Sequence, residues 1–79
     1  MPRALTVREK QILNLIADGL TNRDIAHDLC ISESTVENHI HHIYGKLRIC
    51  NRAQAVGYAF QLKLNYLLNE RLENRGNPS

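Results

Sequence analysis

The stretch that most constrains this chain is Thr21–Leu47, TNRDIAHDLCISESTVENHIHHIYGKL, whose 27 residues carry two complete helix-start signals. Thr21 is a good N-cap, and Asp24 three residues on can reach back to the Thr21 amide, a capping box with Asp in place of the usual Glu or Gln. Leu20 before the cap and Ile25 beyond it form a hydrophobic staple, and Ile25, Ala26 and Leu29 recur at helical spacing. The signal then repeats with Ser32 as cap and Ile31 and Val36 as a second staple. Two capped helices in so short a stretch leave a turn of about three residues, which fixes the angle at which the second helix leaves the first.

That second helix, roughly 33–47, places Val36, Ile40, Ile43, Tyr44 and Leu47 in one inward stripe. Opposite the stripe lie Ser34, Asn38, His41, His42 and Gly45, flanked by Thr35, Glu37 and Lys46. No bulky apolar side chain occupies this face. A short helix, a tight turn and a second helix with a polar outer face make a device for placing side chains in a DNA groove. A polar helix face is by itself usually just solvated, and here charge placement adds to the signal. From residue 38 to 69 there is no Asp or Glu, while Lys46, Arg48, Arg52 and Lys63 all occur. The first 37 residues sum to −2, residues 38–69 to +4 and the last ten to 0. Positive charge collects where a phosphate backbone can lie.

The flanking segments read as support. Thr6 with Glu9 has capping-box spacing and starts a helix over about 7–18, with Ile12, Leu13 and Ile16 on its buried face and Gly19 as its left-handed stop. Asn51 with Gln54 offers a cap and box for a fourth helix, about 52–71, carrying a stripe of mostly small residues, Ala53, Val56, Ala59 and Phe60. Leu64, Leu67, Leu68 and Leu72 continue at helical spacing, so the helix either runs on or breaks near Asn65 and restarts. Residues 1–72 form one domain, and 73–79 are expected to be a frayed tail. The whole is all-α.

Length and composition exclude several classes. Seventy-nine residues allow one small core, near the size at which stability needs help such as oligomerisation. The net charge of +2 does not by itself argue for nucleic acid. No apolar run is long enough for secretion or membrane insertion, and Cys30 and Cys50 lack zinc-site spacing, which points to a cytoplasmic protein with reduced thiols. The HxHH run at His39, His41 and His42 spreads its rings over different helix faces and lacks a fourth ligand, so no metal is expected. With no phosphate loop and no nucleophile beside a base, neither an enzyme nor a cofactor is indicated.

In the segments LTVREKQILNLIADGLTNRDIA, ISESTVENHI, GKL and NRAQAV the chain resembles the LuxR/NarL/GerE-type helix-turn-helix domain of bacterial transcription regulators, over Leu5 to about Phe60. The resemblance implies a four-helix domain whose third helix enters the major groove of double-stranded DNA and whose fourth helix pairs with a second copy. It implies base-edge contacts from Glu37, Asn38 and His41, and backbone contacts from Thr21, Asn22, Arg23, Thr35, Lys46 and Arg52. Ser34 and His42 share the same outer face and join the candidate set. Asn38 can pair bidentately with adenine, Lys46 and Arg52 can neutralise phosphates, and the Thr35 hydroxyl can donate to a phosphate oxygen. Relatives in this family often carry an N-terminal regulatory domain.

Two departures stand out. Glu37 replaces the Lys or Arg of many relatives and suits cytosine N4 rather than phosphate. Cys30 occupies a turn position commonly filled by glycine, so either it adopts a positive φ or the turn differs. On the fourth helix, Val56, Ala59, Phe60 and Leu64 are the candidate homodimer contacts, with coverage of the chain's own core as the competing reading. The alternative function is a helical protein-interaction module with weak or vestigial DNA binding.

Overall fold

A computed structural model describes residues 4–75, and they form four helices. They are α1 (Val7–Ala17), α2 (Asn22–Leu29), α3 (Glu33–Leu47) and α4 (Arg52–Arg75), with no strand among the described residues. The first three helices all begin on hydroxyl caps. Thr6 accepts from the Glu9 amide at 3.1 Å while Glu9 accepts from the Thr6 amide at 2.8 Å. Thr21 and Asp24 exchange the same two bonds, each at 3.1 Å. Ser32 accepts from the Thr35 amide at 3.1 Å, and its hydroxyl also meets that of Thr35 at 2.8 Å. Asn51 caps α4 by accepting from the Gln54 amide, but Gln54 returns its carboxamide oxygen to the amide of Cys50 rather than to that of Asn51.

The helix ends share a second device. Gly19, Cys30 and Arg48 all adopt the left-handed region, with φ of 90°, 58° and 55°. The residue after each donates back five positions: Leu20 to Leu15, Ile31 to Ala26 and Ile49 to Tyr44. This is the Schellman closure, and the apolar side chain that follows the left-handed residue folds onto the helix it terminates. Leu20, Ile31 and Ile49 all pack against the core. Leu20 and Ile31 also stand directly before the caps Thr21 and Ser32, so one side chain closes one helix and staples the next. Cys30 does take the positive φ that its place in the turn demands. Arg48 does so as well, with nothing in its residue type to announce it.

The core is Ile12, Leu13 and Ile16 of α1, Ile25 and Ala26 of α2, Val36, Ile40 and Ile43 of α3, and Ala55 and Ala59 of α4. α1 sits centrally, packing on α4 and α3, while α2 lies against α3. The buried face of α4 differs from the sequence expectation. Ala55 is fully buried, whereas Ala53 is exposed. The approach to α1 is therefore made by alanines four apart, Ala55 and Ala59, which let the helices come close. Ala59 is thus a core residue and not part of an open dimerisation surface. α4 runs without a break past Asn65 to Arg75, so residues 73–75, expected in the tail, are helical; residues 76–79 of that tail lie outside the described residues.

A left-handed residue with a Cβ is strained by about 1 kcal/mol relative to glycine. Cys30→Gly is expected to raise the unfolding free energy by about that amount, and Cys30→Ala to give no such gain, in urea titrations followed by circular dichroism.

Candidate nucleic-acid interface

Two elements carry most of the candidate contact residues. On α3, Ser34, Glu37, Asn38, His41, His42 and Gly45 are exposed, while Val36, Ile40 and Ile43 on the opposite side are buried. The outer face is held by core packing behind it, so its side chains project from a fixed scaffold. The rings of His41 and His42 lie 6.3 Å apart, tilted by 54°. Thr35 is half-buried, its hydroxyl engaged with Ser32.

The second element is the first turn of α2. Thr21 and Arg23 are exposed and Asn22 is half-buried. The capping box satisfies the Asp24 amide, and the amides of Asn22 and Arg23 have no partner among the described residues. Those unpaired donors sit at the positive end of the helix dipole. The Asp24 carboxyl is held below its ordinary 3.8, chiefly by the Thr21 amide and next by the Thr21 hydroxyl.

Two of the expected phosphate-neutralising cations face elsewhere. The Lys46 ammonium lies 2.6 Å from a carboxylate oxygen of Glu9 and 3.5 Å from the Ala4 carbonyl. Glu9 is only 3% exposed, so this pair is a strut between the start of α1 and the end of α3. Arg52 is likewise committed, donating from Nη1 to Asn22 Oδ1 at 2.9 Å and from Nη2 to the Leu20 carbonyl at 2.5 Å. Arg23, Arg48 and Lys63 remain exposed. In the sequence Glu9 registers only as a capping-box partner. Its spacing of three, four and seven from Ile12, Leu13 and Ile16 puts a carboxylate within the buried stripe and calls for a cation opposite.

On α4 the candidate dimer residues separate. Val56, Phe60 and Leu64 are 38%, 67% and 41% exposed, while Ala59 is buried beneath them. With Leu67 and Leu68 the exposed three form an apolar stripe facing away from α1.

A short helix, a turn closed by a left-handed residue, and a following helix with a polar outer face backed by a third define a helix-turn-helix domain. Residues 3–59 match the GerE family, described as bacterial regulatory proteins of the LuxR family, and the chain belongs to that family. Domains of this kind in transcription regulators bind DNA and are not enzymes. The chain is 48% identical over 58 residues to the HTH-type transcriptional regulator MalT of Vibrio cholerae serotype O1, covering 73% of this chain and 6% of that protein. It is 46% identical over 66 residues to the transcriptional regulatory protein LiaR of Bacillus subtilis, covering 84% of this chain and 30% of LiaR. The crystal structure of the response regulator ChrA, from a heme-sensing two-component system, superposes with a TM-score of 0.72 at 47% identity. That match covers 78% of this chain and 31% of ChrA. The chain therefore spans less than a third of the length of these relatives. No helix among the described residues is long and apolar enough to cross a membrane.

The Glu9–Lys46 pair has a definite pH signature. Lys46 first, and the Thr6 amide next, hold the Glu9 carboxyl below its ordinary 4.5 against the opposing effect of burial. A depressed folded-state value means that the stabilisation is complete above the unfolded-state value and is lost as pH falls through the lower folded one. Unfolding free energy should therefore fall more steeply below about pH 4.5 in the wild type than in Glu9→Gln. At neutral pH, Lys46→Met leaves a buried carboxylate without its cation and is expected to cost about 2–3 kcal/mol in urea unfolding. Adding Glu9→Gln to that variant should recover part of the loss.

Proposed function

We propose that this domain reads a specific sequence in double-stranded DNA, with α3 in the major groove, the first turn of α2 on the phosphate backbone, and α4 pairing with a second copy. The observation that carries the reading is the exposed polar face of α3, Ser34, Glu37, Asn38 and His41, anchored from behind by Val36, Ile40 and Ile43. Such a face meets the requirement of direct readout, in which a few side chains on a rigid helix reach base edges while other contacts fix register. Asn38 is the candidate adenine reader and Glu37 suits a cytosine amine. Thr21, Asn22, Arg23, Thr35 and His42 flank these positions as candidates for backbone contacts.

The positioning charge comes from fewer residues than the sequence suggests. With Lys46 and Arg52 bonded internally, Arg23, Arg48 and Lys63 are the exposed cations between residues 21 and 63. Salt dependence should accordingly be modest for a single domain, and pairing two domains through α4 doubles it. A homodimer also supplies cover for Val56, Phe60 and Leu64. Cytoplasmic action, and a regulatory domain attached to this unit in a longer native chain, fit the relatives and belong to the same proposal.

Selection of bound duplexes from a random library tests the reading. A recovered two-half-site motif, preferred at least about a thousandfold over scrambled DNA, is the expected result. Equal, salt-labile binding to every sequence contradicts it and favours a protein-interaction module working through α4. On the recovered site, Asn38→Ala should weaken binding by roughly 1–3 kcal/mol and relax preference at one base pair, read by repeating the selection with the variant. Sedimentation velocity across a concentration series should show a monomer–dimer equilibrium that Phe60→Glu abolishes. Monomers at every concentration for the wild type end the dimer assignment.

A further inference from the structure

Arg52 opens α4, yet its side chain bonds to the turn that leads into α2 and to the first residue of α2. Nη2 holds the Leu20 carbonyl at 2.5 Å, and Nη1 holds Asn22 Oδ1 at 2.9 Å. A guanidinium has only donors, so the amide of Asn22 can meet it through oxygen alone. That choice fixes which way the carboxamide is turned. The two Nδ2 hydrogens are left as the free donors of the side chain, and they have no partner among the described residues. In the same turn, the backbone amides of Asn22 and Arg23 also have no partner among the described residues. Without the guanidinium the carboxamide is free to rotate and to present its oxygen, which repels an anion, as readily as its nitrogen.

We propose that Arg52 is a positioning residue for DNA binding: its guanidinium fork locks the Asn22 carboxamide so that the Nδ2 hydrogens, not the oxygen, face an incoming phosphate. It also clamps the first turn of α2 to the first turn of α4. The inference rests on the DNA reading above and changes the role of Arg52 within it from a phosphate cation to a fork that works through Asn22. It also ties the helix that would carry the second copy to the turn that would meet the phosphate.

The test is a comparison of Arg52→Lys, Arg52→Gln, Asn22→Ala and the double variant Asn22→Ala/Arg52→Lys. Binding is measured by fluorescence anisotropy on the duplex recovered by selection, at one salt concentration and at a temperature where melting curves show each variant folded. Lysine keeps the charge but cannot span both acceptors in the fork geometry. A positioning role therefore predicts that Arg52→Lys loses about fivefold in affinity, close to the loss of Arg52→Gln. Asn22→Ala should lose a similar factor, and the double variant no more than either single one. If Arg52→Lys binds like the wild type while Arg52→Gln is weak, Arg52 acts as a phosphate cation and the proposal is overturned. Multiplying losses in the double variant also overturn it, because the two residues then act independently. Should Arg52→Lys fail to fold, undiminished binding by Asn22→Ala alone is sufficient to reject the proposal. Wild-type protein that binds no duplex removes the DNA reading itself, an outcome distinct from every comparison among variants.

Discussion

The structure depends on the turns that end one helix and begin the next. In Gly19-Leu20-Thr21 and Cys30-Ile31-Ser32, a left-handed residue, an apolar side chain and a hydroxyl cap follow one another without a spare position. The apolar residue closes the helix behind it and staples the helix ahead, and both jobs point it into the same core. In so small a domain, where few side chains are fully buried, this is how three helices are set at defined angles without long connections. The cost is local: at Cys30 a residue with a Cβ carries the conformation that glycine adopts freely.

From those turns the outer face of α3 follows. The angle between α2 and α3 decides which residues of α3 are covered, and once Val36, Ile40 and Ile43 are buried, Ser34, Asn38 and His41 have no choice but to face out. Two polar struts then hold the frame from either side. Glu9 and Lys46 join the start of α1 to the end of α3, and Arg52 joins the start of α4 to the start of α2. Membership of the LuxR family gives this frame its context, and its relatives set the same kind of domain within far longer chains.

What was legible in the sequence is what is local. Caps, boxes and staples act over three to five residues, and the bounds of α2 and α3 follow from Thr21, Ser32 and the stripes behind them. The register of α4 was not legible, because alanines at 53, 55 and 59 offer small faces in several directions and only contact with α1 selects 55 and 59. Nor were the roles of Lys46 and Arg52. Each bonds across thirty or more positions of chain, and a basic residue near a polar helix face looks the same in sequence whether it faces solvent or a carboxylate. The left-handed Arg48 was hidden for a similar reason, since the Ile49 contact that favours it is tertiary.

In the proposed complex, DNA meets the outer face of α3 together with the first turn of α2. Nuclear magnetic resonance titration of the isotopically labelled chain with its selected duplex tests this most directly. The largest shifts at 1:1 half-site occupancy are expected on the amides and side chains of Asn22, Arg23, Ser34, Glu37, Asn38 and His41. Shifts confined to Phe60, Leu64, Leu67 and Leu68 of α4, with the α3 face unmoved, would contradict it.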